Sequence, residues 1–362
     1  MTAFKPPSEW TPPDVFPTEL LTSATQVAID IETRDPNLKE KGPGFTRGDG
    51  EIVGISFACE GFEGYFPFAH ETGFNFPKSK VMEFTKKVCA ATNDKIFHNA
   101  PYDVGWLRSF GVTINGRIID TLIAAPLINE NQYFYSLNAL GREYLNEGKT
   151  EAELNAAAEE WGLDPKAEMW RLPSAYVGTY ATQDAALTLK LWEHFKVKLE
   201  EQNLWNIFDL EMDVLPVVMA MKQKGIRVDL EGADRIKKDL IKQEKNLLRE
   251  IQKQSGVKDV QLWAANSLAT VFDALKLTYT RTPTGQPSFT KAFLNNHTHP
   301  VAKMIKEARE INKSHSTFID SILKHEHNGR IHAEIRQLKG ESGGTVTGRL
   351  SMSNPNLQQV PA

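Results

Sequence analysis

A short β-branched run, QVAIDIET at residues 26–33, constrains the fold of this chain most strongly. Apolar and β-branched residues in such a run are typical of a buried strand. Asp30 and Glu32 are separated by one residue, so their carboxylates leave the strand on the same face. Two neighbouring carboxylates repel each other and resist desolvation. The run therefore predicts a cation site on this face, with a water-facing strand as the simpler alternative.

Further strand patterns follow this run before helices take over the chain. EIVGISFACE and GYFPFA are predicted strands joined by a tight turn, and KIFH is another. Helices are predicted at SKVMEFTKKVCAA, with a Ser N-cap, and at YDVGWLRSFG, which ends at Gly111. From about Ser136 onward the chain is predicted to be almost entirely helical. This order predicts an α/β domain with a mixed central sheet flanked by helices.

Length and charge both predict more than one domain. A chain of 362 residues exceeds what one hydrophobic core usually organises. The first 204 residues hold 19 Lys and Arg against 29 Asp and Glu, a net charge of −10, and the rest hold 23 against 17, a net of +6. Five prolines in the first 17 residues predict an extended arm over 1–24. We therefore expect an acidic domain over 25–204 that suits cations and a basic one over 205–362 that suits phosphates.

The sequence predicts a cytoplasmic protein. No apolar run approaches the ~20 residues that a membrane helix needs. The N-terminus is Pro-rich and acidic, where a signal peptide would be basic and then apolar. Cys59 and Cys89 are the two cysteines, and they form no CxxC pair. They predict two reduced, buried thiols in place of a disulfide framework or a zinc site.

Two later segments add acidic and aromatic candidates. HNAPYD places Asp103 near the start of a helix that follows a strand. YATQD places Tyr180 and Asp184 four residues apart, on one face of a helix. Taken singly, Asp103 also fits a charge favoured by the helix dipole, and Tyr180 also fits a surface tyrosine.

Together, DIET, HNAPYD and YATQD resemble the three exonuclease motifs of the DEDD superfamily in its Tyr-bearing branch, the proofreading domain of family A DNA polymerases. The resemblance implies an RNase H-like fold over 25–204 and a 3'-5' exonuclease that uses two divalent ions, Mg²⁺ or Mn²⁺. Oxygen ligands suit such hard ions, and two ions suit phosphodiester hydrolysis. It also implies that Asp30 bridges both ions and that Tyr180 orients the attacking water. The implied metal ligands are Asp30, Glu32, Asp103 and Asp184, and the implied DNA contacts in these motifs are Thr33, Asn99 and Tyr102.

The second part of the chain resembles the polymerase region of the same family. LEMDVLPVVMAMKQKGIRVD, ANSLATVFDALKL and TPTGQPSFTKAFL are similar to the helical thumb. The segment TGRLSMSNPNLQ resembles the stretch that grips primer and template, although Met352 and Gln359 depart from the common Ser and Asn. The resemblance implies that 205–362 is a thumb with the first part of a palm. Its implied contacts to the DNA minor groove, where hydrogen-bond acceptors are shared by all correct pairs, are Arg349, Asn356 and Gln358.

The catalytic motifs of a family A palm and fingers do not occur in these 362 residues. We therefore expect no polymerase activity from them alone, unless a further part of the protein or a second chain supplies those motifs. The resemblance is closer to phage enzymes, because no 5' nuclease precedes the exonuclease motifs, and implies the cytoplasm of a bacterial host. The expected partners are a single-stranded DNA 3' end and a primer–template duplex.

Three questions stay open at this level. The same motifs also fit an RNase D-like exoribonuclease, and a vestigial acidic site would leave a non-catalytic module that holds primer and template. In the connector KGPGFTRGDG, Arg47 is a candidate contact to the single strand. A flexible hairpin connector explains the same segment equally well.

Overall fold

The computed structural model describes residues 9–341 and 343–360, so residues 1–8 of the predicted arm lie outside the described residues. The chain divides into two compact units. Unit 1 comprises Met1–Gly225 with His332–Asn354, and unit 2 comprises Ile226–Ile331 with Pro355–Ala362. The predicted domain boundary after residue 204 stays a prediction.

Unit 1 is built around a mixed five-stranded sheet. Its strands are β1 (Gln26–Arg34), β2 (Glu51–Cys59), β3 (Phe62–Pro67), β4 (Asp94–Phe97) and β5 (Ile118–Asp120). They lie in the order β3-β2-β1-β4-β5. The three strands β1 to β3 pair antiparallel, whereas β4 runs parallel to both β1 and β5. The predicted mixed sheet is confirmed.

The register of β1 against β2 decides what faces the acidic pair. Asp30 lies opposite Ser56 and Glu32 lies opposite Gly54, and a bulge follows Glu32. A Cβ at Gly54 would come within 2.2 Å of the Tyr65 hydroxyl oxygen. Gly54 therefore leaves the space into which the buried Tyr65 ring fits.

Helices surround this sheet, and the longest of them carries YATQD. The helices of unit 1 are α1 (Thr18–Ser23), α2 (Leu38–Lys41), α3 (Lys78–Ala90), α4 (Ala100–Ser109), α5 (Thr121–Ile128), α6 (Leu137–Leu145), α7 (Ala152–Trp161), α8 (Ser174–Glu201) and α9 (Trp205–Lys224), with 3₁₀ turns at Gly44–Thr46 and Met169–Arg171. Helix α8 packs on β1, β2 and β3 and against α5 and α6. The core includes Ile29, Phe57, Leu191 and Phe195, each at most 1% exposed. Burial of these apolar side chains fixes α8 over the strand that carries DIET.

Two local predictions differ from the structure, and a third is confirmed. The described part of the arm is not wholly extended, because Thr18–Ser23 is helical, and Phe16 stacks on Phe66 with ring centroids 5.1 Å apart. Helix α3 begins at Lys78 directly after Pro77, so the predicted Ser N-cap is wrong. Pro at this position sets a backbone φ of −57° that leads into the helix, and Ser79 lies in the first turn. Both cysteines are buried and free, as predicted.

Unit 2 is mainly helical and has a core of its own. Its helices are α10 (Leu230–Ser255), α11 (Ala265–Ala274), α12 (Lys291–Asn296), α13 (Pro300–Lys313) and α14 (Asp320–His325), with a π-helical turn at Ser314–Ile319 and a 3₁₀ turn at Leu357–Gln359. Short strands are β6 (Ile226–Arg227), β7 (Thr280–Arg281), β8 (Pro287–Ser288), β9 (Glu326–His327) and β10 (Arg330–Ile331). Ile251, Phe272 and Ile305 are fully buried among its helices.

The remaining two strands belong to unit 1. Strand β11 (Glu334–Arg336) pairs antiparallel with β12 (Ser351–Ser353). Residues 332–354 thus fold with the sheet domain although they follow the thumb-like helices in the sequence. Over the described part of the chain, no helix is both long and apolar enough to cross a membrane.

Candidate active site

Three carboxylates from two elements of unit 1 converge on one point. Asp30 and Glu32 extend from the same face of β1, and Asp184 lies on α8, which packs across that strand. One carboxylate oxygen of each lies within 4.8 Å of the others. Glu32 and Asp184 are only 7% and 4% exposed. The cation site predicted from the alternation in β1 therefore has a third acidic residue that arrives from elsewhere in the chain.

Burial and mutual repulsion disfavour ionisation of this cluster. The pKa of Asp30 lies well above its usual range because of desolvation, and the Asp184 charge raises it further. Desolvation likewise raises the pKa of Glu32, with Asp30 as the next cause, and the pKa of Asp184. A divalent cation held between these oxygens would remove the repulsion.

Asp103 lies beside the cluster without being one of its three closely spaced acids. It extends from the first turn of α4, is 4% exposed, and accepts a hydrogen bond from the Ile31 backbone N–H at 3.2 Å. Desolvation raises its pKa well above normal, and the Asp30 charge adds to this. The Ile31 contact ties Asp103 to the strand segment between Asp30 and Glu32.

Tyr180 lies one helical turn before Asp184, as its spacing predicts. Its side chain is 7% exposed, and burial, followed by the Asp184 charge, raises its pKa well above normal. The hydroxyl therefore keeps its proton near neutral pH.

A lysine completes the cluster, and the sequence reasoning missed it. Lys149 lies in the loop between α6 and α7, and its Nζ is 2.6 Å from Asp184 Oδ2. The same Nζ is 3.5 Å from the Tyr180 hydroxyl and 4.9 Å from the centre of its ring. Burial lowers the pKa of Lys149, but the Asp184, Asp30 and Glu32 carboxylates outweigh burial and raise it.

The cluster borders a cavity of about 840 Å³ within unit 1. Its lining combines acidic, aromatic and basic side chains, which include Glu32, Thr33, Tyr102, Lys149, Tyr180, Lys222, Arg336 and Lys339. Arg336 and Lys339 come from the 332–354 segment, so residues of the polymerase-like part line the same cavity as the exonuclease motifs. A cavity with basic walls around an acidic centre suits a phosphate-bearing chain that is held near cations.

Two family models match the chain in the order expected from its motifs. A model described as 3'-5' exonuclease matches residues 18–200, and a model described as DNA polymerase family A matches residues 231–362. The chain is a member of DNA polymerase family A and carries the 3'-5' exonuclease domain. The predicted membership of DNA polymerase family A and the predicted 3'-5' exonuclease domain are thereby confirmed.

The relatives of this family A chain include phage and bacterial enzymes. The DNA-directed DNA polymerase of Pseudomonas phage M6 is 37% identical over 98% of this chain, and DNA polymerase DpoZ of Salmonella phage PMBT28 is 31% identical over 96%. The chain covers 56% and 57% of those two proteins, so it spans about half of their length. A solved structure described as the POL domain of Pol1 from M. smegmatis, in complex with DNA primer-template and dNTP, aligns with a TM-score of 0.71 and 20% identity. That alignment covers 95% of this chain and 54% of the other, and shows that the fold is shared.

Thr33 and Tyr102 of the family A chain lie together at the cavity. The Tyr102 hydroxyl is 2.6 Å from Thr33 Oγ1, and it also donates to Asp35 Oδ2 at 3.3 Å. Burial raises the pKa of Tyr102. Both residues thus line the cavity next to Glu32.

The backbone turn at Asn99 is held by Asp120, a residue that the sequence reasoning missed. Asn99 adopts a left-handed backbone conformation (φ 76°) just before α4. Asp120 accepts hydrogen bonds from the backbone N–H groups of Asn99, Ala100 and Leu122 at 2.8 to 2.9 Å. Asp120 thereby caps α5 and fixes the turn that leads to Asp103. The sequence IIDT, an Asp directly before a helical pattern, carries the ordinary signal of an N-cap.

Arg47 requires a correction. Its side chain is 9% exposed and binds within its own loop. Its guanidinium donates to the carbonyls of Lys41, Gly42 and Pro43 and to the Asp49 carboxylate. Four hydrogen bonds thus engage all three nitrogens of the Arg47 guanidinium, and Asp49 adds an ion pair. The structure thus gives Arg47 the role of holding the connector together, in place of the predicted contact to the single strand.

The three predicted minor-groove residues fall in different units. Arg349 is exposed in unit 1, where its backbone carbonyl accepts a hydrogen bond from Thr345 Oγ1 at 2.7 Å. Asn356 and Gln358 are exposed in unit 2, and the Asn356 side chain accepts from the Gln358 N–H at 3.1 Å. Exposure leaves the Arg349 guanidinium open to solvent on the surface of unit 1.

Proposed function

We propose that the chain hydrolyses the 3'-terminal phosphodiester of single-stranded or frayed DNA, as a DEDDy-type 3'-5' exonuclease that uses two divalent ions. One observation supports this most directly. Asp30, Glu32 and Asp184 place carboxylate oxygens within 4.8 Å of one another inside the region matched by the exonuclease family. Buried carboxylates at this spacing are costly without a cation, and oxygen-only ligands suit Mg²⁺ or Mn²⁺.

Each acidic residue then has a distinct task. Asp30, Glu32 and Asp184 would hold the first ion, and Asp103 together with Asp30 would help to hold the second. Divalent ions at such a site lower the pKa of bound water and stabilise the charge of the leaving oxygen. The side chains of this chain keep the oxygens close together and exclude bulk water from them.

Tyr180 acts as a hydrogen-bonding hydroxyl. Its raised pKa keeps it protonated, so it orients the attacking water instead of accepting its proton. A buried hydroxyl beside Asp184 is well placed for this role.

The proposed DNA path begins at Thr33, Asn99 and Tyr102. Asn99 extends the path through its turn before α4, and the aromatic ring of Tyr102 offers a surface on which a base stacks. On a primer–template duplex, donors from Arg349, Asn356 and Gln358 would test pair geometry in the minor groove.

A digestion assay tests the proposal. A single-stranded DNA labelled near its 5' end should be shortened stepwise from its 3' end with Mg²⁺ or Mn²⁺, and not with EDTA. Asp30→Asn and Asp184→Asn should reduce digestion to background, because each removes a carboxylate ligand. Glu160→Gln removes an exposed acid from α7 and serves as the matched control, with unchanged digestion. Digestion in EDTA, or full activity of Asp184→Asn, would contradict the metal assignment.

The remaining alternatives are separated by the same assay. An RNase D-like enzyme would shorten RNA in preference to DNA of the same sequence. A non-catalytic module would bind the 3' end without shortening it under any metal condition. We expect nucleotide incorporation only when a palm and fingers are supplied by the rest of the protein or by a second chain. For a phage-encoded protein, the site of action would be the cytoplasm of the bacterial host.

A further inference from the structure

The Lys149 ammonium lies where it neutralises the carboxylate cluster. Its Nζ is 2.6 Å from Asp184 Oδ2, and the side chains of the pair are only 10% and 5% exposed. Asp184 Oδ1 is also buried and has no hydrogen-bond partner among residues 9–341 and 343–360. One oxygen of Asp184 is therefore taken by the ammonium, while the other is left without a donor.

The loop that carries Lys149 is held by hydrogen bonds to α6 and to α8. The Lys149 backbone N–H donates to Asn138 Oδ1 on α6 at 2.9 Å. Gln183 on α8 accepts from the Thr150 N–H at 2.6 Å and donates to the Gly148 carbonyl at 2.9 Å. Gln183 directly precedes Asp184, so the helix that presents the carboxylate also holds the lysine loop. These hydrogen bonds fix the position of Lys149 relative to Asp184.

Two other lysines at the cavity, Lys166 and Lys39, are placed differently. Lys166 and Lys39 pair with Glu151 and Asp164, and their side chains are 63% and 85% exposed. Such exposed charges are screened by water and salt. Lys149 differs because it is buried against Asp184. The charges of Asp30 and Glu32 also act on its ammonium and raise its pKa.

An ammonium 2.6 Å from Asp184 Oδ2 repels a divalent ion that binds the same carboxylate. We infer that Lys149 is a built-in counter-cation, which stabilises the carboxylate cluster in the metal-free protein and competes with the divalent ion for Asp184. The inference rests on the proposed metal site. It makes Lys149 a positioning residue that sets the ion concentration at which the site fills.

Two variants test this without any measurement of hydrolysis. Lys149→Met removes the charge while keeping most of the side-chain length, and Lys149→Arg keeps the charge. Lys166→Met is the matched control, because it removes the same charge from an exposed position at the same cavity. Binding of Mn²⁺ without DNA is followed by electron paramagnetic resonance, and thermal unfolding is followed in EDTA.

Lys149→Met should bind Mn²⁺ about tenfold more tightly, because a positive charge a few ångströms from the ion is lost. In EDTA its thermal midpoint should fall by about 5 to 10 °C, because the buried carboxylates lose their counter-charge. Lys149→Arg should stay close to the natural protein in both measurements. Lys166→Met should change the Mn²⁺ affinity by less than about twofold.

The double variant Lys149→Met with Asp184→Asn keeps the test decisive if Lys149→Met fails to fold. It removes both charges, so its midpoint in EDTA should recover most of the loss. Equal or weaker Mn²⁺ binding by a folded Lys149→Met variant, or an unchanged midpoint in EDTA, would overturn the inference. If neither the natural protein nor Lys149→Met binds Mn²⁺, both this inference and the proposed metal site are wrong. Tight binding without digestion would contradict the proposed activity alone.

Discussion

Replacing Asp120 by alanine should weaken both stability and catalysis, although Asp120 belongs to none of the exonuclease motifs. Its carboxylate accepts three backbone N–H bonds, from Asn99, Ala100 and Leu122. Asn99 and Ala100 form the turn before α4, and that helix carries Asp103. The variant therefore loosens the turn that places Asp103 beside Asp30 and Glu32.

The magnitude follows from two opposing terms. Hydrogen bonds to a charged group contribute about 1.5 to 3 kcal/mol each, so three contribute about 6 kcal/mol. Burial raises the pKa of Asp120 to about 6, from 3.8 in the unfolded chain. Keeping it ionised at pH 8 thus costs about 3 kcal/mol. Asp120→Ala leaves the three N–H groups without an acceptor, at about 1 to 3 kcal/mol each, so it should lose at least about 3 kcal/mol at pH 8.

The pH dependence gives this prediction a signature. A raised folded pKa means that the folded protein binds the proton more tightly, so the contribution of Asp120 is largest at low pH and declines as pH rises through about 6. Lowering the pH from 8 to 5 should therefore enlarge the loss in Asp120→Ala by about 1.4 kcal/mol. Contributions of other groups cancel in the comparison between natural protein and variant.

Urea unfolding at pH 8 and pH 5, followed by tryptophan fluorescence, measures both quantities. Digestion of single-stranded DNA should also fall by about 10- to 100-fold, as it does when a residue that orients metal ligands is lost. Asp229→Ala is the control, since it removes an N-cap from α10 in unit 2 and should cost about 1 kcal/mol without affecting digestion. Equal urea midpoints for Asp120→Ala and the natural protein, or a loss that shrinks at pH 5, would refute the reasoning.

Three further variants test other contacts. Burial lowers the pKa of His70 to about 4, so this group should reduce the free energy of unfolding of the natural protein by about 2 kcal/mol between pH 7 and pH 5. In urea unfolding, His70→Gln should not show that part of the loss. Lys222→Met should cost about 3 kcal/mol because it leaves the partly buried Glu334 without its partner at 2.8 Å, and the double variant with Glu334→Gln should recover most of this. Arg47→Ala should lower the urea midpoint and leave the salt dependence of single-strand affinity unchanged. A decrease of about 1 in the slope of log affinity against log salt concentration would instead support a contact between Arg47 and DNA.

Local periodicity accounts for much of what the sequence predicts correctly. Alternation along β1 is enough to place Asp30 and Glu32 on one face. A spacing of four in α8 is enough to place Tyr180 and Asp184 on one side of that helix. Such relations depend only on the geometry of a single strand or helix, so a neighbouring element does not alter them.

Local patterns were less informative at helix starts and in loops. Ser79 was expected to be the N-cap of α3, but Pro77 takes that position, and its fixed φ begins the helix two residues earlier. Arg47 had the composition of a DNA contact, but nearby carbonyls and Asp49 were closer partners for its donors. Composition cannot tell which acceptors will surround an arginine.

The sequence by itself determined the motif residues, their faces and the family to which the chain belongs. Only the tertiary structure decided that Lys149 neutralises Asp184 and that Asp120 holds the turn before Asp103. Lys149 and Asp184 are 35 residues apart in the sequence, and Asn99 and Asp120 are 21 residues apart. The two members of each pair belong to separate elements. Packing of α6 against α8 brings Lys149 to Asp184, and the parallel pairing of β4 with β5 brings Asp120 to the turn before α4. Burial of the apolar faces of these elements leaves their polar side chains to find partners inside the protein.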